Sequence, residues 1–212
     1  MLALSLRQLD LAERDLSMAA SLSRGHDRMR ALVYRAEARH ALGDRKGALE
    51  DVQEVLDQEP TQHRALNTRG RLRMEQGDPA AAEADYTAAI ASLPLATYFG
   101  NRANARKQLG RFDEMLADYA EALRLDPQNA STYFNRGNFW LDQRRFAEAL
   151  RDYNDSIRLD PTFWQPWNNR GIALWELGNR PAAIESWRAA RDVCPDPALR
   201  AQIDEAIRRA SR

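Results

Sequence analysis

The chain has 212 residues, 44% hydrophobic and 8% aromatic, with 31 Lys plus Arg against 31 Asp plus Glu. The zero formal charge gives no general attraction to nucleic acid or anionic lipid, and no apolar run approaches the ~20 residues of a membrane helix. The single cysteine, Cys194, can form no intramolecular disulfide and has no metal-ligand spacing to His26, His40 or His63. Alanine, leucine, arginine and glutamate outweigh the β-branched residues, so the chain reads as all-α.

In chain order, the opening MLALSLRQL is apolar but short. Asp10, Glu13, Arg14 and Asp15 follow with no small-residue cleavage site, so it does not read as a signal peptide and a cytoplasmic location is expected. Leu11, Ala12, Met18 and Ser21 have the phase of a second helix in an incomplete unit, with His26 where later units carry proline. Residues 1–28 are therefore expected to form a partial or capping helical hairpin; a start partway through a longer array is the alternative.

From there Pro60, Pro94, Pro127, Pro161 and Pro195 recur at intervals of 34, 33, 34 and 34 residues. A period of ~34 residues without strand-like alternation is the mark of stacked helix-turn-helix units. The blocks run 29–62, 63–95, 96–129, 130–163 and 164–197. In each, a first helix of about twelve residues carries a bulky residue, an Arg and a small residue, as in Leu66, Arg69, Gly70 and Trp167, Arg170, Gly171. A break follows at Gly43, Gly77, Gly110 and Gly178, where glycine can take the left-handed conformation that ends a helix. The fourth block has Gln143-Arg144-Arg145 instead, a turn predicted to be strained or differently shaped.

A second helix then places a small residue, an aromatic or Val, and another small residue on one stripe, as in Ala82, Tyr86, Ala89 and Ala183, Trp187, Ala190. Proline closes each block because it cannot continue a helix. One residue before the aromatic stands an Asp, and the phase pairs Arg35 with Asp51, Arg69 with Asp85, Arg102 with Asp118 and Arg136 with Asp152. We read these pairs as a structural ion-pair ladder, with an anion-binding ladder as the rival; Arg170 faces Ser186 and lacks a carboxylate. At the end, Asp196-Pro197 is a good helix start. Leu199, Ile203 and Ile207 then make a narrow stripe, so 198–212 is expected to be a capping helix.

The block grammar resembles the tetratricopeptide repeat, whose W-x2-L-G-x2-Y…A-x3-F…P pattern it follows in order and spacing; Trp167, Gly171, Ala183, Trp187 and Pro195 form the nearest copy. The departures are the repeated Arg before the small residue, and Arg39, Arg73, Arg106, Trp140 and Leu174 where Tyr is usual. The resemblance implies a right-handed superhelical solenoid of stacked antiparallel helix pairs, with first helices lining a concave groove. Its candidate contacts are Tyr34, Arg64, Asn67, Arg71, Asn101, Asn104, Phe134, Asn135, Asn138, Asn169 and Trp175. Asparagine is a mediocre helix former, and its amide both donates and accepts, which suits holding a peptide backbone; bonding to a neighbouring helix is the alternative. Some family members grip a C-terminal carboxylate with two Asn flanked by cations. Asn104 and Asn135 fit the two Asn positions, but Gly100, Gln165 and Asn169 stand where cations are needed. Trp140, Trp167, Trp187, Tyr86, Tyr119 and Tyr153 take packing phases.

There is no Gly-rich phosphate loop, H-E-x-x-H, G-x-S-x-G or Cys/His cluster, so no catalytic residue, metal or cofactor is expected. The expected function is a non-enzymatic scaffold that binds an extended peptide or protein segment, with neither nucleic acid nor membrane as partner. A monomer or weak homodimer fits that reading. The alternatives are a homo-oligomeric assembly module and a recruitment domain of a larger protein.

Overall fold

The backbone breaks at capping side chains, at left-handed residues and at the repeated prolines. The computed structural model describes residues 2–211, with side chains from residue 6, and among these residues there are twelve helices and no strand. They are α1 (Leu2–Leu22), α2 (Gly25–Leu42), α3 (Arg45–Gln58), α4 (His63–Glu75), α5 (Pro79–Ser92), α6 (Ala96–Gln108), α7 (Phe112–Leu125), α8 (Ala130–Asp142), α9 (Phe146–Leu159), α10 (Trp164–Glu176), α11 (Arg180–Val193) and α12 (Pro197–Ala210). The fold divides into two units, one ending at Glu121 and the other beginning at Ala122.

Polar side chains start six of the twelve helices. Asp44, Gln62, Asp78, Asn129 and Asn179 each accept a hydrogen bond from a backbone N–H three residues on, and Asp196 accepts from both Ala198 and Leu199. The first helices of the blocks end on a left-handed residue, at φ +85° for Gly43 and +80° for Gly77. Arg144 adopts the same geometry at φ +57° and is the only non-glycine residue with positive φ among those described. The fourth turn thus keeps the shape of its counterparts and carries the Cβ penalty that glycine avoids.

The N-terminal expectation needs correction. Among the described residues, α1 is one helix of 21 residues in place of the two that a hairpin over 1–28 would need, and α2 begins at Gly25, a turn before the block boundary at Met29. No Gly or Pro interrupts Leu2–Leu22, and the chain turns just after it at Gly25, whose φ is +56°. α1 packs against α2.

In the first unit, Leu32, Val52, Val55, Leu66 and Leu72 are buried in one apolar cluster. In the second, Trp187, Leu174, Cys194 and Ile203 form another, with Leu199 and Ile207 of α12 packed against it. Helices of one pair approach closely where the small residue meets the aromatic. A Cβ on Gly171 would lie 2.6 Å from Cδ1 of the Trp187 ring, so the ring fills the space that a side chain would need.

Beside these contacts lies a row of buried carboxylates. Arg35 donates to Asp51 through Nη2 at 2.6 Å and Nε at 2.9 Å. The Nη2 atoms of Arg69, Arg102 and Arg136 lie 2.7 Å from Asp85, Asp118 and Asp152. Each of the four Asp side chains is 6% exposed or less. Three of them are held twice: Arg39 reaches Asp51 at 3.1 Å, Arg73 reaches Asp85 at 2.7 Å and Arg106 reaches Asp118 at 2.8 Å. The arginines that replace the usual Tyr are thus the second half of the ladder. Two cations around one carboxylate repay the cost of burying it better than one can.

The ladder thins in the second unit. Trp140 stands where the second arginine would be and lies under the Arg145 guanidinium, 4.3 Å from its ring centroid. At the next rung Arg170 donates to the Ser186 hydroxyl at 3.3 Å, and Ser186 itself donates to the Trp167 carbonyl at 3.1 Å. Burial without a carboxylate lowers the Arg170 pKa, whereas the hydrogen bond to Asp51 raises that of Arg35.

Two measurements check this account. Asp85→Asn strands Arg69 and Arg73 and is expected to cost about 3–5 kcal/mol in urea unfolding, while Asp152→Asn strands only Arg136 and should cost about 1–2 kcal/mol less. Arg144→Gly should gain about 0.5–1 kcal/mol, because the left-handed strain disappears and the exposed pair with Glu176 contributes little.

Candidate functional site

Asparagine recurs in the middle of the first helices, and the structure shows how each amide is held. In the first unit Asn101 of α6 donates through Nδ2 to Asn67 Oδ1 of α4 at 2.8 Å. Asn104, on the same helix, accepts at Oδ1 from the Tyr119 hydroxyl at 2.6 Å. In the second unit Asn138 Oδ1 of α8 accepts twice, from the Tyr153 hydroxyl at 2.9 Å and from Asn169 Nδ2 of α10 at 2.8 Å. Asn168 Nδ2 donates to Asn169 Oδ1 at 3.1 Å. Asn67, Asn101, Asn104, Asn135, Asn138 and Asn169 are all half-buried.

The row is therefore partly a set of bonds between neighbouring helices, the alternative that the sequence left open. The tyrosines explain it: Tyr119 and Tyr153 are fully buried, and a phenol O–H taken from water needs an acceptor. Burial pushes both phenols far above their usual pKa, so they stay protonated and donate. The repeated spacing of 15 residues from Asn104 to Tyr119 and from Asn138 to Tyr153 carried this pairing in the sequence. Some amide groups remain without a protein partner among the described residues: the N–H donors of Asn104 and Asn138, the Asn101 oxygen and the whole Asn135 amide.

The other candidates divide by surroundings. Arg64 forms a double hydrogen bond to Glu37, at 3.0 and 2.8 Å, and lies over the Tyr34 ring at 4.6 Å, so its charge is matched. The hydrogen bond to Glu37 raises its pKa. Phe134 meets Phe163 edge to face at 4.9 Å and Tyr153 at 6.2 Å. Trp175 lies 6.0 Å from Trp187 under the Arg180 guanidinium. Both rings are half-buried and packed within their own unit. Tyr34 is 40% exposed. Arg71 is exposed and borders a cavity of about 200 Å³ with Met74, Glu75, Tyr86, Asn101 and Asn104.

No group of three or more His, Cys, Asp or Glu side chains is placed to hold a metal among the described residues. Among the same residues, no helix is long and apolar enough to cross a membrane.

Comparison with known proteins agrees with this geometry. Family models described as tetratricopeptide repeat match residues 67–99 and 130–163, and one described as TPR repeat matches 103–143. No curated protein matches the sequence. Among solved structures, BtubC (BKLC) from P. vanneervenii aligns at 20% identity over 88% of this chain and 89% of that one, with a TM-score of 0.72. MamA aligns at 19% identity over 78% and 91%, with a TM-score of 0.65. YrrB, described as a TPR protein with an unusual peptide-binding site, aligns at 18% identity over 82% and 91%, with a TM-score of 0.62. At such identities the likeness is one of fold, and it agrees with the repeat pattern and the helix pairs: the chain carries tetratricopeptide repeats.

Proposed function

We propose that this chain is a protein-interaction scaffold whose first helices hold an extended peptide segment through the asparagine amides. The observation that carries the reading is the state of Asn138. Its oxygen is fixed by Tyr153 and Asn169, and its two N–H donors are left for an incoming acceptor. Asn104 repeats the arrangement in the other unit, with its oxygen on Tyr119.

An amide already locked by a buried phenol loses little freedom when a ligand binds, and this preorganisation strengthens otherwise weak contacts. Donors and acceptors on one helix face match the alternating C=O and N–H groups of an extended backbone without selecting its side chains. The peptide-binding site described for YrrB, which shares the fold, lends support to a peptide as the ligand class. The reading calls for no catalytic group, metal or cofactor.

The test must separate ligand contact from scaffold bonding. Asn104→Asp and Asn138→Asp keep the oxygen that accepts the tyrosine O–H and remove the N–H donors. A peptide selected from a random display library on the wild-type chain, followed by fluorescence polarisation, should bind at least about tenfold more weakly to the variant of the unit it occupies, with the helical circular dichroism unchanged. Unaltered affinity in both variants, or failure of the wild-type chain to select any peptide, sinks the proposal.

A further inference from the structure

The second repeat breaks the amide pattern at one position. Tyr86 is buried at the place of Tyr119 and Tyr153, but the residue 15 positions before it is Arg71, where the next two repeats have Asn104 and Asn138. Arginine has no acceptor to offer a phenol. Accordingly the Tyr86 hydroxyl has no hydrogen-bond partner among the described residues, while its two counterparts are satisfied. Arg71 itself forms neither an ion pair nor a hydrogen bond among those residues.

Around this pair the cavity of about 200 Å³ gathers Asn101 and Asn104, with the N–H donors of Asn104 still unused. The one carboxylate on its wall, Glu75, does not neutralise Arg71. Its oxygens are taken by His40 Nε2 at 2.7 Å and by Arg45, and those hydrogen bonds lower its pKa, so it is ionised and already matched. The cavity therefore holds an uncompensated positive charge and donors from three side chains, Arg71, Tyr86 and Asn104. Such a set suits an anion, and charge-assisted bonds are the strong ones. Its volume is below the ~300–1,000 Å³ of a small-molecule pocket and fits a single side chain.

We propose that this cavity is a specificity pocket for an acidic side chain, Asp or Glu, within the peptide that occupies the first unit. The inference rests on the peptide-binding reading above and adds a sequence preference to it. Arg71 supplies the charge, Tyr86 and Asn104 donate to the carboxylate oxygens, and the Asn101 oxygen is placed to accept from the peptide backbone.

Selection from a random peptide library, displayed with no free C-terminal carboxylate, on the wild-type chain and on Arg71→Gln tests it. Peptides from the wild-type selection should share an acidic residue at one fixed position, and the Arg71→Gln selection should lose it. Replacing that Glu by Gln in a synthetic C-amidated peptide should weaken binding to the wild-type chain by about tenfold or more and leave binding to Arg71→Gln nearly unchanged. Tyr86→Phe, which keeps the ring in the core, should weaken the acidic peptide more than its Gln version. Peptides selected without an acidic position, or an acid whose loss matters equally in both proteins, overturn the pocket and leave the peptide-binding reading standing. Recovery of acid dependence only with a free C-terminal carboxylate also overturns it, since the ligand is then a chain end. If neither protein selects any peptide, both readings fall.

Discussion

A buried aspartate held by arginine is the interaction on which the first four repeats depend. Helix pairs of this size bury their apolar stripe against one another without a directional contact to fix the register. The carboxylates of Asp51, Asp85 and Asp118 supply that direction, because each is shared by two arginines four residues apart on the first helix. The hydrophobic stripe brings the helices together, and the ion pair selects the one sliding position in which no buried charge is left alone. Where the second arginine is missing, an aromatic or aliphatic residue takes its place, Trp140 or Leu174, and packing takes over part of the role.

The same logic of satisfying buried polar groups generates the candidate binding face. A tyrosine in the second helix fills the space beside the small residue of the first, and its hydroxyl arrives near the opposite helix surface with a donor to satisfy. Asn104 and Asn138 satisfy it, and in doing so they become fixed amides whose remaining donors point away from that bond. Scaffold and ligand face are thus one network, and a residue can serve both. The exception at Arg71 and Tyr86 gains its interest from the same rule: a site departs from a repeated solution where something outside the repeat is expected to complete it.

Much of the fold was legible in the residues. The proline period, the small residue before the break and the Asp in fixed phase identified the helix pairs and the four ion pairs, because each is a local spacing that a helix converts directly into a face. The single N-terminal helix was not legible in this way, since the break expected inside a hairpin had no Gly or Pro to enforce it and α1 runs through. Arg39, Arg73 and Arg106 were visible only as departures from a family pattern; their convergence on an already paired Asp depends on how two helices cross. Phe134 and Trp175 had groove phases, and the neighbouring Phe163 and Trp187 drew their rings into packing.

From the residues alone follow the repeat and the pairing of four Arg with the Asp 16 residues later, because short helices of fixed pitch leave few ways to bury that pattern. Which polar groups are satisfied and which stay available was settled only when the helices packed. A hydrogen-bond valence is filled or left open by atoms on another helix, and a repeated spacing marks the partner only once the packing of the two helices is known. Asparagines alike in sequence therefore divide into bonded oxygens and free donors, Arg64 is neutralised by Glu37, and Arg71 stands beside a cavity with its charge unmatched.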